Sequence, residues 1–222
     1  MLWQNWRIYM ILTRIELDPT KRATIMALSN PNRFHGAIEK SRSVEGERIL
    51  WRIDELRGKK YLMILSPSTV DSQLLANQFG YPGESPQQKN YDPLLERITQ
   101  GSVWNFRLTA NPTFSSPADR KDPQGRGKVK GEISTTVQLK WLERKAEANG
   151  FSLKPDQFGV VGSRWVTFKK QAERRKVSLT QVTYEGVLTV TDPELFKKAL
   201  VDGIGRGKAY GMGLLTVVTP HA

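Results

Sequence analysis

The order of strands and helices in the second half of the chain constrains its fold most strongly. A β-rich run, "VWNFRLTANP" at residues 103–112, ends in Asn-Pro, and "STTVQLKWLERKAEANG" at residues 134–150 has apolar residues at helical spacing. The strand patterns "SRWVTFKK" and "KVSLTQVTYEGVLTV" follow, and the polar turn at residues 171–175 between them predicts a β-hairpin. The helix "DPELFKKALVDG" and the strand "GLLTVV" complete the half. This βαββαβ order is the ferredoxin-like pattern.

The first half repeats the order less clearly. The sequence indicates a strand at residues 11–17, a helix at residues 31–41, a hairpin from "RILWRID" and "KKYLMILSP", and a short helix near "DSQLLANQF". The fourth strand is not apparent, because "GYPGESPQQKNY" at residues 80–91 is typical of a linker or long loop.

We therefore predict an α+β protein of two tandem ferredoxin-like (βαββαβ, RRM-like) domains, at residues 10–98 and 99–222. Residues 1–9 precede the first strand pattern and are interpreted as an extension. The face of such a four-stranded sheet, or the cleft between two of them, is a common platform for nucleic acid.

Positive charge is clustered in the second half. The chain has 34 Lys and Arg against 22 Asp and Glu, a net charge of +12. Residues 120–130 carry five basic side chains against Asp122, and residues 164–176 carry six against Glu173. A solvated surface normally mixes the two signs, so this pattern favours a polyanionic partner such as nucleic acid.

Several other classes of protein and site are excluded. The chain has no cysteine, which removes disulfides, thiolate nucleophiles and cysteine-ligated metals and fits a reducing cytoplasm. No apolar run approaches the roughly 18 residues of a membrane span, and the start does not have the order of a signal peptide. We therefore expect no membrane partner. No carboxylates cluster as two-metal phosphodiester chemistry requires, so we also expect no metal.

A glycine-rich segment, "GIGRGKAYGMG" at residues 203–213, matches neither the P-loop nor the dinucleotide fingerprint, and we therefore expect no cofactor. A loop with few side chains and two cations, Arg206 and Lys208, can bring backbone N–H groups close to phosphate or to another backbone. A helix end and a tight turn account for one or two of its five glycines, but they account poorly for all five together.

One reaction on RNA needs neither a metal nor a cysteine, because the ribose 2′-hydroxyl beside the scissile phosphate is itself the nucleophile. The protein then supplies a base, an acid and positive charge, and histidine can fill either proton-transfer role. His35 lies in the second turn of a helix that Asn30 caps, with Arg33 and Lys40 nearby. The residues alone leave a structural role for His35 open.

Five segments resemble, in the same order, the CasE family: "MILTRIELDP", "FRLTANPT", "WLERK", "YEGVLTV" and "GIGRGKAYGMGLLTV". This family comprises the CRISPR repeat-processing endoribonucleases of the type I-E (Cascade) system, and the resemblance covers residues 10–218. It implies metal-independent cleavage of CRISPR precursor RNA at the base of the repeat hairpin, leaving a 2′,3′-cyclic phosphate and a 5′-hydroxyl. It also implies that the protein stays on the 3′ hairpin of the guide RNA and joins other Cascade subunits.

The resemblance assigns the catalytic histidine to His35, in the first helix after an Asn-Pro start. Lys40 matches a lysine that supports the transition state in some relatives. Because it lies five residues after His35, it can act beside the histidine only if its side chain reaches back or the helix ends near it. Asn32 stands where some relatives have a tyrosine, and its amide cannot titrate. Either His35 works with substrate, water and lysine alone, or another group, for which Tyr210 is a candidate, supplies the second proton transfer.

RNA recognition is expected mainly in the second half. The hairpin turn is predicted to enter a groove of the RNA stem, as a basic segment does in the family, and the loop around residues 126–130 to clamp phosphates. The predicted RNA-binding residues are Arg33, Arg126, Lys128, Lys130, Arg164, Lys169, Lys170, Arg174, Arg175, Lys176, Arg206, Lys208 and Tyr210.

Two other hypotheses remain at this point. A protein of the same superfamily that binds an RNA hairpin without cutting it is supported by Asn32. Housekeeping RNA binding rests on charge and fold alone and predicts no selectivity between hairpins of equal length.

Overall fold

The chain forms two compact units, Met1–Arg97 and Ile98–Ala222, in a computed structural model that describes residues 9–116, 128–131, 134–169 and 176–220. The elements of the first unit are β1 (Ile11–Leu17), α1 (Arg22–Ser29), α2 (Asn32–Ser41), β2 (Leu50–Leu56), β3 (Lys59–Ser66), α3 (Ser72–Phe79), β4 (Gln87–Asn90) and α4 (Asp92–Glu96).

The first unit is built on one antiparallel sheet in the order β2-β3-β1-β4. Alternate residues of β1 are buried, as expected for a strand with one covered face. Ile15 of β1 and Leu62 of β3 share a core with Phe34 of α2 and Phe79 of α3. The helices therefore cover one face of the sheet, and α2 is anchored in the core.

Two elements of this unit differ from the prediction. Residues 80–91 are not a simple linker, because they contain β4, which pairs with β1 and completes the sheet. All four side chains of β4 are exposed, so the strand has no apolar alternation to reveal it. Helix α1 was also not predicted, because it has no acidic residue in its first turn and its N-cap residue Lys21 makes no side-chain cap.

The second unit repeats the same strand order with longer strands. Its elements are β5 (Val103–Ala110), β6 (Thr113–Ser116), β7 (Lys128–Gly131), α5 (Thr135–Ala148), β8 (Phe151–Lys169), β9 (Lys176–Val190), α6 (Pro193–Asp202) and β10 (Leu215–Val218). The main sheet has the order β10-β5-β9-β8, and β6 and β7 form a separate two-stranded sheet. In both four-stranded sheets the first and third strands of the βαββαβ order lie in the centre, and the second and fourth lie at the edges. This arrangement confirms the predicted tandem ferredoxin-like fold.

The helices of the second unit begin and end where the sequence predicts. The side chain of Asp192 caps α6 by accepting hydrogen bonds from the backbone N–H groups of Glu194 and Leu195, each at 3.0 Å. Gly203 follows the helix with φ of 73°. Trp141 of α5 stacks on Tyr184 of β9, with ring centroids 6.2 Å apart. Burial raises the pKa of the Tyr184 hydroxyl, which donates to the carbonyl of Gln138 in α5.

Strand β8 begins earlier than predicted, at Phe151 rather than at residue 163. Its first half is interrupted by register shifts between Leu153 and Phe158 and between Val160 and Gly162, and Asp156 adopts a positive φ of 65°. These bulges break the period-2 pattern, so sequence alternation alone does not show the strand there.

Candidate functional site

Helix α2 carries the predicted catalytic residues. Its apolar face is fixed by Phe34, whose ring packs against Trp51 at a centroid distance of 5.6 Å and against Phe79 at 4.8 Å. At its start, the side chain of Asn30 accepts a hydrogen bond from the backbone N–H of Asn32 at 3.2 Å, in agreement with the predicted cap. The helix is therefore held at its start and along one side.

His35 lies on the flank of α2, beside the buried face. Its side chain is 34 % exposed, and its Nδ1 is 3.7 Å from the carboxylate Oε1 of Glu39, one turn further on. Arg42 hydrogen-bonds to the same carboxylate. The imidazole is thus partly accessible and has a carboxylate on its Nδ1 side, an arrangement that can orient a histidine for proton transfer.

Sequence reasoning did not single out Glu39. The available signal was its position four residues after His35 on a predicted helix, where the two side chains are neighbours.

Asn32, Arg33 and Lys40 share this helix with His35. Asn32 is the first residue of α2 and, like Arg33, is half-buried, whereas Lys40 is exposed. The helix ends at Ser41, one residue after Lys40, which satisfies the condition that it end near the lysine. The structure therefore brings the three predicted catalytic residues, Asn32, His35 and Lys40, together on one short helix. Their catalytic roles stay a prediction.

The β8–β9 hairpin carries the predicted groove-entering cations. Lys169 and Lys176 are paired in register at its outer end, and both are exposed. Arg164 is also exposed, and its Nε donates to Oε1 of Gln181 on the opposite strand at 2.5 Å. Of the other predicted RNA-binding residues in this region, Lys170, Arg174 and Arg175 lie outside the described residues.

The predicted phosphate-clamping loop is partly a strand, which corrects the prediction. Lys128 and Lys130 belong to β7, where Lys130 pairs with Phe114 and Lys128 with Ser116 of β6. Antiparallel pairing orders this part of the backbone. Arg126 lies outside the described residues.

The glycine-rich segment is explained by its backbone conformation, contrary to the expectation that turns explain its five glycines poorly. Gly203, Gly205, Gly207, Gly211 and Gly213 have φ between 73° and 91°, a region that side chains disfavour. The segment also packs closely, since a Cβ at Gly205 would lie 3.1 Å from the ring of Trp141. The glycines are therefore needed to fold the segment, independently of any phosphate.

The three predicted RNA-binding residues of this segment have different surroundings. Arg206 is exposed, and its backbone pairs with that of Asn111, whose side chain in turn accepts from the N–H of Thr180 at 3.3 Å. Lys208 and Tyr210 are half-buried in a 3₁₀ turn. Buried Asn111, from the segment "FRLTANPT", thus ties the glycine-rich segment to β9.

A depression of about 570 Å³ lies on the second sheet next to the bulge of β8. Arg107 and Glu185 lie in it and form an ion pair at 2.7 Å. This cation is already partnered by a carboxylate, so the depression is a weaker candidate for binding RNA than the hairpin.

Within the described part of the chain, no three His, Asp or Glu side chains are grouped to hold a metal ion. Among the helices described, none has both the length and the hydrophobicity needed to cross a membrane.

Comparison with known proteins identifies relatives along nearly the whole chain. Residues 10–219 match the family model described as CRISPR associated protein. The CRISPR-associated endoribonuclease Cse3 of Thermus thermophilus is 33% identical over 224 residues, covering 94% of this chain and 99% of that protein.

Solved structures agree with this result. Cse3 of Thermus thermophilus bound to an RNA representing a pre-cleavage complex superposes with a TM-score of 0.77 and 29% identity, covering 95% of this chain and 99% of that one. A chain of a CRISPR RNA-guided surveillance complex, pre-nicking, superposes with a TM-score of 0.68 and 28% identity, covering 95% of this chain and 100% of that one. The chain therefore belongs to the family of CRISPR-associated proteins that its sequence resembles, the Cse3/CasE endoribonucleases.

Proposed function

We propose that this protein is a metal-independent endoribonuclease that cleaves CRISPR precursor RNA at the base of the repeat stem-loop. The observation that carries the proposal is the position of His35, partly exposed on an anchored helix with Lys40 one residue before its end. The similarity to Cse3 over 94% of the chain supports the same substrate class. No cofactor is required by the chemistry.

The reaction uses the RNA's own hydroxyl as the nucleophile. The 2′-oxygen forms a bond to the neighbouring phosphorus and loses its proton, while the bond from phosphorus to the 5′-oxygen breaks and that oxygen gains a proton. The products are a 2′,3′-cyclic phosphate and a 5′-hydroxyl. His35 carries one of the two proton transfers, and the ammonium of Lys40 stabilises the charge on the phosphorane.

The second proton transfer is the open part of the mechanism. Asn32 can orient a water molecule or the substrate by hydrogen bonding, but its amide cannot exchange a proton near neutral pH. Either a water molecule fills the role, or Tyr210 does.

After cleavage the protein stays on the 3′ hairpin of the guide RNA and acts as a Cascade subunit in the cytoplasm. The similarity to a chain of a surveillance complex supports this role. In this proposal His35 and Lys40 of the first unit act at the scissile phosphate, and the second unit binds the stem through the basic β8–β9 hairpin.

A second candidate function, binding an RNA hairpin without cleavage, is favoured by Asn32. It predicts the same affinity for repeat RNA but no product.

The test is a gel assay of the purified protein with a labelled repeat hairpin in EDTA. A second substrate has a single 2′-deoxy nucleotide at the cut site. We expect the first RNA to be cut and the second to be bound intact, because only the first has the nucleophile. Tight binding without cleavage of either RNA would support the second candidate instead, and cleavage of the deoxy substrate would contradict the proposed chemistry.

A further inference from the structure

The outer half of the β8–β9 hairpin has two different faces. Between residues 162 and 169 its register with β9 is regular, so alternate residues lie on opposite faces. Phe168 is 5 % exposed and packs on Tyr210. Trp165 lies on the opposite face, together with the paired lysines at the outer end, Lys169 and Lys176.

Trp165 is unusual among the tryptophans that the structure describes. Trp51, Trp104 and Trp141 are at most 5 % exposed and belong to the cores, whereas Trp165 is 57 % exposed. A single exposed apolar residue is ordinary on a protein surface. An exposed indole on the same face as two lysines, however, presents a flat aromatic surface to an anionic ligand.

Strand β7 passes beside one edge of this indole. A Cβ added at Gly131 would lie 2.3 Å from the Oγ1 of Thr180 and 3.5 Å from the Cζ3 of Trp165. The backbone of β7 therefore passes close over the hairpin at this point, and a glycine is needed for that approach. The backbone of β7 therefore borders one edge of the indole, while more than half of the Trp165 surface remains open.

The same face is polar and positively charged around the indole. Thr167 and Ser178 lie between Trp165 and the two lysines, with their hydroxyl oxygens 3.3 Å apart. Residues 158–169 and 176–184 contain no acidic side chain. An aromatic ring beside hydroxyl groups and cations is the combination that binds a nucleobase and its phosphates.

We propose that Trp165 stacks on an unpaired nucleobase of the bound RNA while Lys169 and Lys176 contact the phosphates beside it. This inference rests on the proposed function and adds a binding site to it. Bases inside the stem are already stacked on their neighbours, so the partner is a base in the hairpin loop or in a single strand flanking the stem.

The first test measures the affinity of repeat RNA for Trp165→Ala, Trp165→Phe and the control Val161→Ala. Val161 is also 57 % exposed on β8 and has no ring. We expect the Trp165→Ala variant to bind about tenfold more weakly and Trp165→Phe to retain most of the affinity, because base stacking requires an aromatic face. Val161→Ala should bind like the wild type.

A second test identifies the base by removing unpaired bases one at a time, leaving abasic sites. One abasic position should weaken wild-type binding by a similar factor and cause no further loss in Trp165→Ala, since both changes remove the same contact. Additive losses at every position, or unchanged affinity of Trp165→Ala for all RNAs, would overturn the inference and leave Trp165 to a protein partner or to folding.

Fluorescence keeps the inference testable if Trp165→Ala does not fold. RNA should quench more tryptophan emission in the wild type than in Trp165→Phe, and equal quenching would contradict stacking. If the wild type neither binds nor cuts repeat RNA, the proposed function fails. If it does both and Trp165 is irrelevant, only this inference fails.

Discussion

Phe168 near the outer end of β8 packs edge-on against Tyr210 of the glycine-rich segment, with ring centroids 4.8 Å apart. This contact connects the basic hairpin to the segment "GIGRGKAYGMG" and gives Tyr210 a structural role in addition to the proton-transfer role proposed for it. The two roles require different atoms, the ring for packing and the hydroxyl for chemistry.

Substitutions at Tyr210 should separate these roles. Tyr210→Ala should lower the free energy of unfolding by about 1–2 kcal/mol, because an aromatic pair and buried area are lost. Tyr210→Phe keeps the ring and should have nearly the stability of the wild type in urea denaturation. If Tyr210→Phe also cleaves RNA at the wild-type rate, a water molecule rather than Tyr210 completes the proton transfer.

His35→Ala should abolish cleavage and leave hairpin affinity within severalfold of the wild type. Loss of a proton-transfer group typically costs 10²- to 10⁴-fold in rate, so we expect at least about a hundredfold decrease in single-turnover cleavage. The chain's only other histidine provides the control, His221→Ala, which should cleave normally. A parallel loss of binding in His35→Ala would indicate a structural role for His35.

Neutralising Arg174 and Arg175 together should weaken RNA binding and flatten its dependence on salt. Each lost phosphate contact reduces the slope of log affinity against log salt by roughly 0.7–0.9, because one fewer counterion is released. The matched control is Lys197→Ala with Lys198→Ala on α6, whose ammonium groups pair with Glu194 and Asp202. An unchanged slope in the arginine variant would place the RNA elsewhere on the protein.

Gly205→Ala should destabilise the protein by about 1–3 kcal/mol, because its φ of 83° and its approach to Trp141 both disfavour a side chain. Gly36→Ala in α2 is the matched control. No atom of the described residues lies within 4 Å of a Cβ at Gly36, so the helical propensity of alanine should raise stability by about 0.5–1 kcal/mol. Opposite signs in the two unfolding free energies would support the conformational explanation of the glycine-rich segment, and equal effects would contradict it.

Asp18 should make stability depend on pH in a defined direction. Hydrogen bonds from the side chain of Thr20, at 2.6 Å, and from its N–H hold the pKa of the Asp18 carboxyl below its ordinary value. The stabilisation is therefore present above that ordinary pKa and is lost as the pH falls through the lowered one. Thr20→Val should be less stable than the wild type at pH 6, and the difference should shrink below about pH 4. A difference that does not change with pH would exclude this carboxyl as the cause.

Much of the fold follows from local sequence signals. The alternation in β1 and the Asp192 cap with Gly203 at the ends of α6 depend on residues close in the chain, so each was predicted close to its observed limits. Strand β4 was missed because pairing to β1, rather than any apolar pattern, makes it a strand. The start of β8 was missed because bulges shift its register against β9.

The candidate site divides in the same way. His35 and Lys40 were identified because a helical spacing and a family resemblance are both legible in the sequence. The surroundings of Trp165 were not predicted, because they depend on the register of β8 with β9 and on the approach of Gly131, which lies 34 positions before Trp165 in the chain. The five glycines were likewise understood only once their φ angles were known.

Strand β4 has one more consequence, for how the molecule behaves in concentrated solution. It forms an outer edge of the first sheet, where a free row of backbone groups would invite a strand from another molecule. The strand is only four residues long, and its sequence "QQKN" is hydrophilic and includes a lysine. An apolar strand from another molecule would therefore bury little apolar surface by pairing with it. The same polarity that conceals β4 in the sequence thus protects this edge of the first sheet from pairing with another molecule.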